Sequence, residues 1–284
     1  MQIQTGDLSL LKGWNATLTT TAVMPVLFLG HGSPMNALYD NEFTREWHKI
    51  GQTLEQAPTA ILCISAHWLT QGSTAVTAMQ MPKTIHDFGG FPQALFDLQY
   101  PASGNQALVD ETVNLIDSVH VQHDHHWGLD HGTWSVLHHV FPEANIPVVQ
   151  LSIDYSQPAQ YHYDLAKQLS KLRRKGVLIV ASGNLVHNLG KIAYGRMNEL
   201  YGFDWALEAD HKMQNFLLNH HHQALIDWDK QGTAFHLAIP SPDHYYPMLY
   251  ALALQEEQDE LTIFNAKAVG GSLTMTSFRL DQHA

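Results

Sequence analysis

From Pro25 onward the chain alternates short, continuous apolar runs with stretches of helical periodicity. The apolar runs fall at residues 25–29, 60–65, 146–153, 177–181, 234–239, 261–264 and 272–280. Unbroken apolar runs of this length predict strands covered on both faces. Between them, apolar positions recur with helical spacing over 44–56, 105–119, 133–140, 158–175, 205–226 and 245–254. Pro158 then reads as a first-turn proline. Strands interleaved with helices predict an α/β fold: a single domain with a central mostly parallel or mixed sheet flanked by helices. No composition break or Pro/Gly/Ser linker divides residues 24–284, and there is no internal repeat. Residues 1–23 are mostly polar and end Thr-rich at Thr17 and Thr19–Thr21, which predicts a loosely ordered N-terminal extension.

Composition narrows the classes of function. Of 284 residues, 45% are hydrophobic and only 15% charged, a globular, core-rich balance. Lys plus Arg number 15 against 27 Asp plus Glu, a formal charge of −12. That acid excess argues against a nucleic-acid or anionic-membrane partner, both of which require basic surface. No run approaches the ~20 apolar residues of a membrane span. The N-terminus lacks a signal-peptide pattern, so the expected location is cytoplasmic, as a monomer or small homo-oligomer. The single cysteine, Cys63, removes any disulfide framework, cysteine zinc ribbon or iron–sulfur cluster. Twenty histidines exceed the Lys plus Arg count, so a bound metal would be held by nitrogen.

Most of these histidines read as surface or packing residues. His220, His221 and His222 fall on one amphipathic helix pattern, and His138 and His139 on an apolar one. His48, His120, His162, His211, His236 and His283 have no polar constellation around them, and His123, His125 and His126 crowd a polar loop. Four others share a different position. His31, His67, His187 and His244 each appear a few residues after an apolar run has ended in small residues or prolines. In open α/β sheets ligands bind outside the carboxyl ends of the strands, so four such histidines can converge on one point. Imidazole suits Fe, Zn, Cu or Ni. His131, in Asp130-His-Gly-Thr-Trp, stands at a loop-to-helix junction and reads either as a general acid–base or as a capping contact. The aromatic, glycine-rich stretch Thr84-Ile-His-Asp-Phe-Gly-Gly-Phe-Pro reads either as a loop closing over a flat substrate, through His86 and Phe91, or as an ordinary turn.

These segments carry a resemblance. Gly30-His-Gly-Ser-Pro-Met, Ser65-Ala-His-Trp, the aromatic loop, Asp130-His-Gly-Thr-Trp, Pro147-Val-Val-Gln-Leu-Ser-Ile-Asp, Ala181-Ser-Gly-Asn-Leu-Val-His-Asn and Pro242-Asp-His-Tyr are similar to the motifs of the class III extradiol ring-cleavage dioxygenases, 4,5-DOPA dioxygenase branch. They occur in the same order from about Met24 to near the C-terminus. The resemblance implies one catalytic α/β domain over 24–284 and a non-haem metal, normally Fe(II), that opens a catechol such as 4,5-DOPA with O2. It implies His31 and His67 as metal ligands and His244 where other class III enzymes place a glutamate. It makes His187 a further ligand or the base beside the metal, and His131 a second histidine of the substrate pocket. The departure at His244 leaves an all-histidine donor set without ligand charge, which suits zinc as well as iron. Two other classes therefore stand beside the dioxygenase: a zinc-dependent hydrolase, and a non-catalytic metal-binding interaction protein on the same fold.

Overall fold

The computed structural model describes residues 12–282. Its strands are β1 (Val26–Gly30), β2 (Ala60–Thr70), β3 (Thr74–Thr77), β4 (Val121–Asp124), β5 (Val148–Asp154), β6 (Val177–Gly183), β7 (Glu260–Phe264), β8 (Ala268–Val269), β9 (Leu273–Thr274) and β10 (Ser277–Asp281). Eight of them form one sheet in the order β4-β3-β5-β2-β6-β1-β10-β7, while β8 and β9 pair by themselves. The central strands β5, β2, β6 and β1 run parallel; β10 pairs antiparallel with both β1 and β7 at one edge, and β3 pairs antiparallel with β5 and parallel with β4 at the other. The domain is thus a single α/β unit with a mixed sheet.

The helices are α1 (Glu42–Thr53), α2 (Gln93–Asp97), α3 (Gln106–Leu115), α4 (His131–Val140), α5 (Ala159–Lys167), α6 (Asp204–Leu218), α7 (His222–Ile226), α8 (Thr233–Ala238) and α9 (Tyr246–Leu252). They cover both faces of the sheet, which explains why the central strands are buried along nearly all their length and begin as unbroken apolar runs. Along β1, Val26 and Phe28 join the core shared with α5, α6 and α9, while Leu27 and Leu29 join the core shared with α1 and α4. The same alternation divides Ile179 from Val180 on β6. Trp47 and Trp134, both with no exposed surface, fill the second layer.

Several local expectations change. Residues 234–239, expected as a strand, form α8: Ala234, Phe235 and Ala238 are buried at helical spacing, and Gly232 at φ +98° turns the chain into it. The stretch 205–226 is two helices, because His220 takes φ +56° and ends the first. His220 and His221 therefore sit in a turn, and His222 is bonded to the hydroxyl of Tyr163 and to Gln255. Pro158 precedes α5 as its N-cap, and 170–175 is a separate 3-10 turn ending at Gly176. The four-residue strands β3 and β4 were not foreseen. Of the extension expected over 1–23, residues 1–11 lie outside the described residues, as does His283. Beyond them, Asn105 Nδ2 donates to the carbonyls of Gly13 and Ala16, and Thr21 N–H to that of Arg174. Among the described residues no helix is long and apolar enough to cross a membrane.

Candidate functional site

The carboxyl ends of β1, β2 and β6 are adjacent in the sheet, and each delivers a chain segment to the same edge. His31 follows β1 directly, its N–H bonded to the carbonyl of Gly183 at the end of β6. His67 lies within β2, beyond the last β2–β6 pair at Ser65 and Ser182. There the register against β5 shifts between Ile64 and Leu69, which frees the His67 ring from the sheet faces. His244 comes from the loop before α9. That loop lies against β6 so closely that a Cβ on Gly183 would stand 2.2 Å from the His244 carbonyl oxygen. Asn184 binds the segments together: its N–H donates to His244 O, its Nδ2 to Thr274 O, and its Oδ1 accepts from Gly32 N–H.

These placements bring three imidazoles together. The ligand-capable nitrogens of His31, His67 and His244 all lie within 4.8 Å of one another. Their tautomers follow from their outer partners. Ser182 Oγ spends its only proton on the Gly132 carbonyl at 2.5 Å, so it must accept from His31 Nδ1 at 3.0 Å. His244 Nδ1 donates to the Asp243 carboxylate at 2.6 Å. His31 and His244 thus keep their lone pairs on Nε2. His67 Nδ1 stands 3.5 Å from Asp87 Oδ2, too far for a hydrogen bond. His31 Nε2 and His67 Nε2 stand 3.2 Å apart, close enough for one ring to donate to the other or for both to turn a lone pair on a shared cation. Burial, and then the neighbouring histidines, push His31 and His67 well below the ordinary imidazole range, so both are neutral donors near pH 7. The donor set therefore fits a divalent metal that favours nitrogen.

His187, the fourth histidine expected here, is not in this group of three. Its ring lies flat on His244, 3.5 Å between centroids and 5° between planes, and burial lowers its pKa. His131 stands on the other side, its ring centroid 3.8 Å from that of His67. It is the first residue of α4, whose N-cap Asp130 accepts from Thr133 N–H. Gly132 is required beside it, because a Cβ there would meet Ser65 Oγ at 2.4 Å.

Above the histidines opens a cavity of about 310 Å³. Its polar floor is His31, His67, His131, His187 and His244, and its apolar walls include Phe88, Phe91, Leu189, Ile192 and Met197. Phe88 packs edge-on against both Phe91 and His131. His86 does not line this cavity. Its Nε2 bonds to the Leu98 carbonyl, and its ring supports Phe88 from behind.

Sequence reasoning did not single out the carboxylates Asp87 and Asp243 as partners of site histidines. The signal for Asp243 was its adjacency to His244. Asp87 stands between His86 and Phe88 in a loop read for its aromatic residues, and only the fold brings it to His131.

Comparison with known proteins points to one family. Residues 20–275 match the family described as the catalytic LigB subunit of aromatic ring-opening dioxygenase. A protein named 4,5-DOPA dioxygenase extradiol from Escherichia coli (strain K12) is 46% identical over 263 residues, covering 90% of this chain and 94% of its own. One of the same name from Beta vulgaris is 31% identical over 265 residues, covering 90% and 96%. The crystal structure of an Escherichia coli K12 protein superposes with a TM-score of 0.78 at 39% identity, over 91% of this chain and 100% of that one.

Proposed function

The chain belongs to the family of the catalytic LigB subunit of aromatic ring-opening dioxygenases, and from that membership we propose that it opens a catechol ring beside its two hydroxyls with O2. 4,5-DOPA, the compound named in its relatives, is the first substrate to try. One observation carries the reading: three histidines gather their ring nitrogens at the floor of an apolar cavity with room for one substituted aromatic ring. In this reading His31, His67 and His244 hold the metal. When bound, a redox-active divalent metal, Fe(II) for activity, supplies the centre at which catechol and O2 meet. Zinc fits the same nitrogen set and would occupy it without that redox chemistry.

The protein's own groups then have distinct tasks. Phe88 and Phe91 cover the ring and exclude water from it. His187, kept neutral by burial, faces the cavity as an acceptor for one catechol proton. His131 borders the same space from the side of α4 and handles a proton on the opposite flank. His86 acts on substrate only through Phe88.

The test is anaerobic reconstitution with Fe(II), followed by O2 uptake and absorbance with a panel of catechols. We expect stoichiometric O2 consumption and a yellow ring-opened product. Absence of both with every catechol overturns the reading. His31→Ala and His67→Ala should each lose stoichiometric metal by elemental analysis. A variant that keeps one metal per chain and full turnover removes that residue from the ligand set.

A further inference from the structure

Asp87 stands where the aromatic loop, the first turn of α4 and the His67 ring meet. Its side chain makes a paired contact with one residue. Oδ1 accepts the backbone N–H of His131 at 2.9 Å, and Oδ2 lies 2.9 Å from His131 Nδ1. The His131 N–H opens a helix and has no partner within it, so the contact closes one of the donors that every helix start leaves unpaired. The same Oδ2 is 3.5 Å from His67 Nδ1. An ionised carboxylate has no proton to give, so the proton between Oδ2 and Nδ1 sits on nitrogen.

We propose that Asp87 is a positioning residue that fixes His131 in the tautomer with its proton on Nδ1 and its lone pair on Nε2. The Nε2 atom then meets substrate as a proton acceptor and not as a donor. The inference rests on the reading above, in which His131 exchanges a proton with a catechol. Asp87 also adjoins Phe88, whose ring packs edge-on to His131 at 5.5 Å. One carboxylate thus aligns the acceptor and anchors the wall that covers the ring. Nothing in the motif around His86 and Phe91 assigned it that task.

Asp87→Asn separates shape from chemistry. Asparagine keeps an oxygen for the His131 backbone N–H, but its NH2 group then faces Nδ1 and selects the opposite tautomer. Loss of the correct tautomer with geometry intact lowers turnover by about 10²–10⁴-fold. The expected result has three parts. In the zinc-loaded protein, the imidazole ¹⁵N shifts of His131 report the proton on Nε2 in the variant and on Nδ1 in the wild type. Zinc stoichiometry is the same in both. In the Fe(II) enzyme kcat falls at least a hundredfold, KM changes little, and Asp87→Glu recovers part of the loss. His131 remaining protonated on Nδ1 in Asp87→Asn, or turnover within about twofold of wild type, overturns the proposal. So does loss of a second metal equivalent, which would make Asp87 and His131 ligands. The zinc-loaded spectrum needs no turnover, so it decides the tautomer even if the wild type opens no catechol.

Discussion

At Gly183 an added methyl group would meet backbone, which has nowhere to move. The His244 carbonyl stands 2.2 Å from the position of that Cβ, and the same carbonyl accepts the Asn184 N–H. Gly183→Ala must therefore push the 240–246 loop off β6 and carry the His244 ring with it. Overpacking of this kind destabilises by about 1–3 kcal/mol. The expected outcome is a lower urea midpoint together with weaker zinc binding in a chelator competition. Gly89→Ala is the control, since nothing lies within 4 Å of its Cβ position, and both quantities should stay at the wild-type value. Single residues of this site were legible in the sequence when their chemistry depended on position along a strand. His31 directly follows β1 and His67 lies near the end of β2, whereas His244 was found although the apolar run before it, 234–239, is the helix α8. Asp87 and Asp243 were not legible as partners, because their role is a contact across the fold and a carboxylate in a loop looks the same whether solvated or bonded to an imidazole.

The elements that carry the site are also held by polar contacts away from it, and one of these gives a pH prediction. His162 on α5 is fully buried, its Nδ1 3.0 Å from the Tyr250 hydroxyl of α9 and its ring 4.2 Å from that of Tyr246. Burial lowers its pKa to about 4. An unfolded chain takes up this proton near pH 6.5, whereas the folded one resists it down to about 4. The unfolded state therefore binds more protons in that interval, and stability falls as pH drops from about 6.5 to 4, by about 3 kcal/mol from this group. In His162→Gln that contribution is absent. The stability gap between wild type and variant should narrow by about 3 kcal/mol between pH 7 and pH 4 in urea titrations, and an unchanged gap refutes the assignment. His31, His67 and His187 titrate in the same direction in both proteins and cancel in the comparison. The parallel centre of the sheet was readable as unbroken apolar runs. Residues 234–239 misled because a short buried helix and a buried strand are both continuously apolar, and β3 and β4 were missed because four residues hold too little pattern.

Across the whole molecule the three candidate ligands come from positions 31, 67 and 244, so a metal ion there joins the first strand of the sheet to the last helix. An unfolded chain does not hold these rings together, and binding free energy becomes folding free energy. At a free metal concentration one hundred times the dissociation constant the gain is about 2.7 kcal/mol. For a domain of this size that corresponds to a rise in Tm of about 4–5 °C. Scanning calorimetry with zinc and then with a chelator should therefore show a drop of about that size in the wild type. His244→Ala should show almost none, because its site no longer binds tightly enough to couple to unfolding. Asp243→Asn lies between them: His244 keeps its place but loses the carboxylate that fixes its proton on Nδ1, and metal affinity falls about 10–100-fold. If the chelator moves the Tm of His244→Ala as far as that of the wild type, the metal sits elsewhere, and the three-histidine floor of the cavity is a polar surface without an ion.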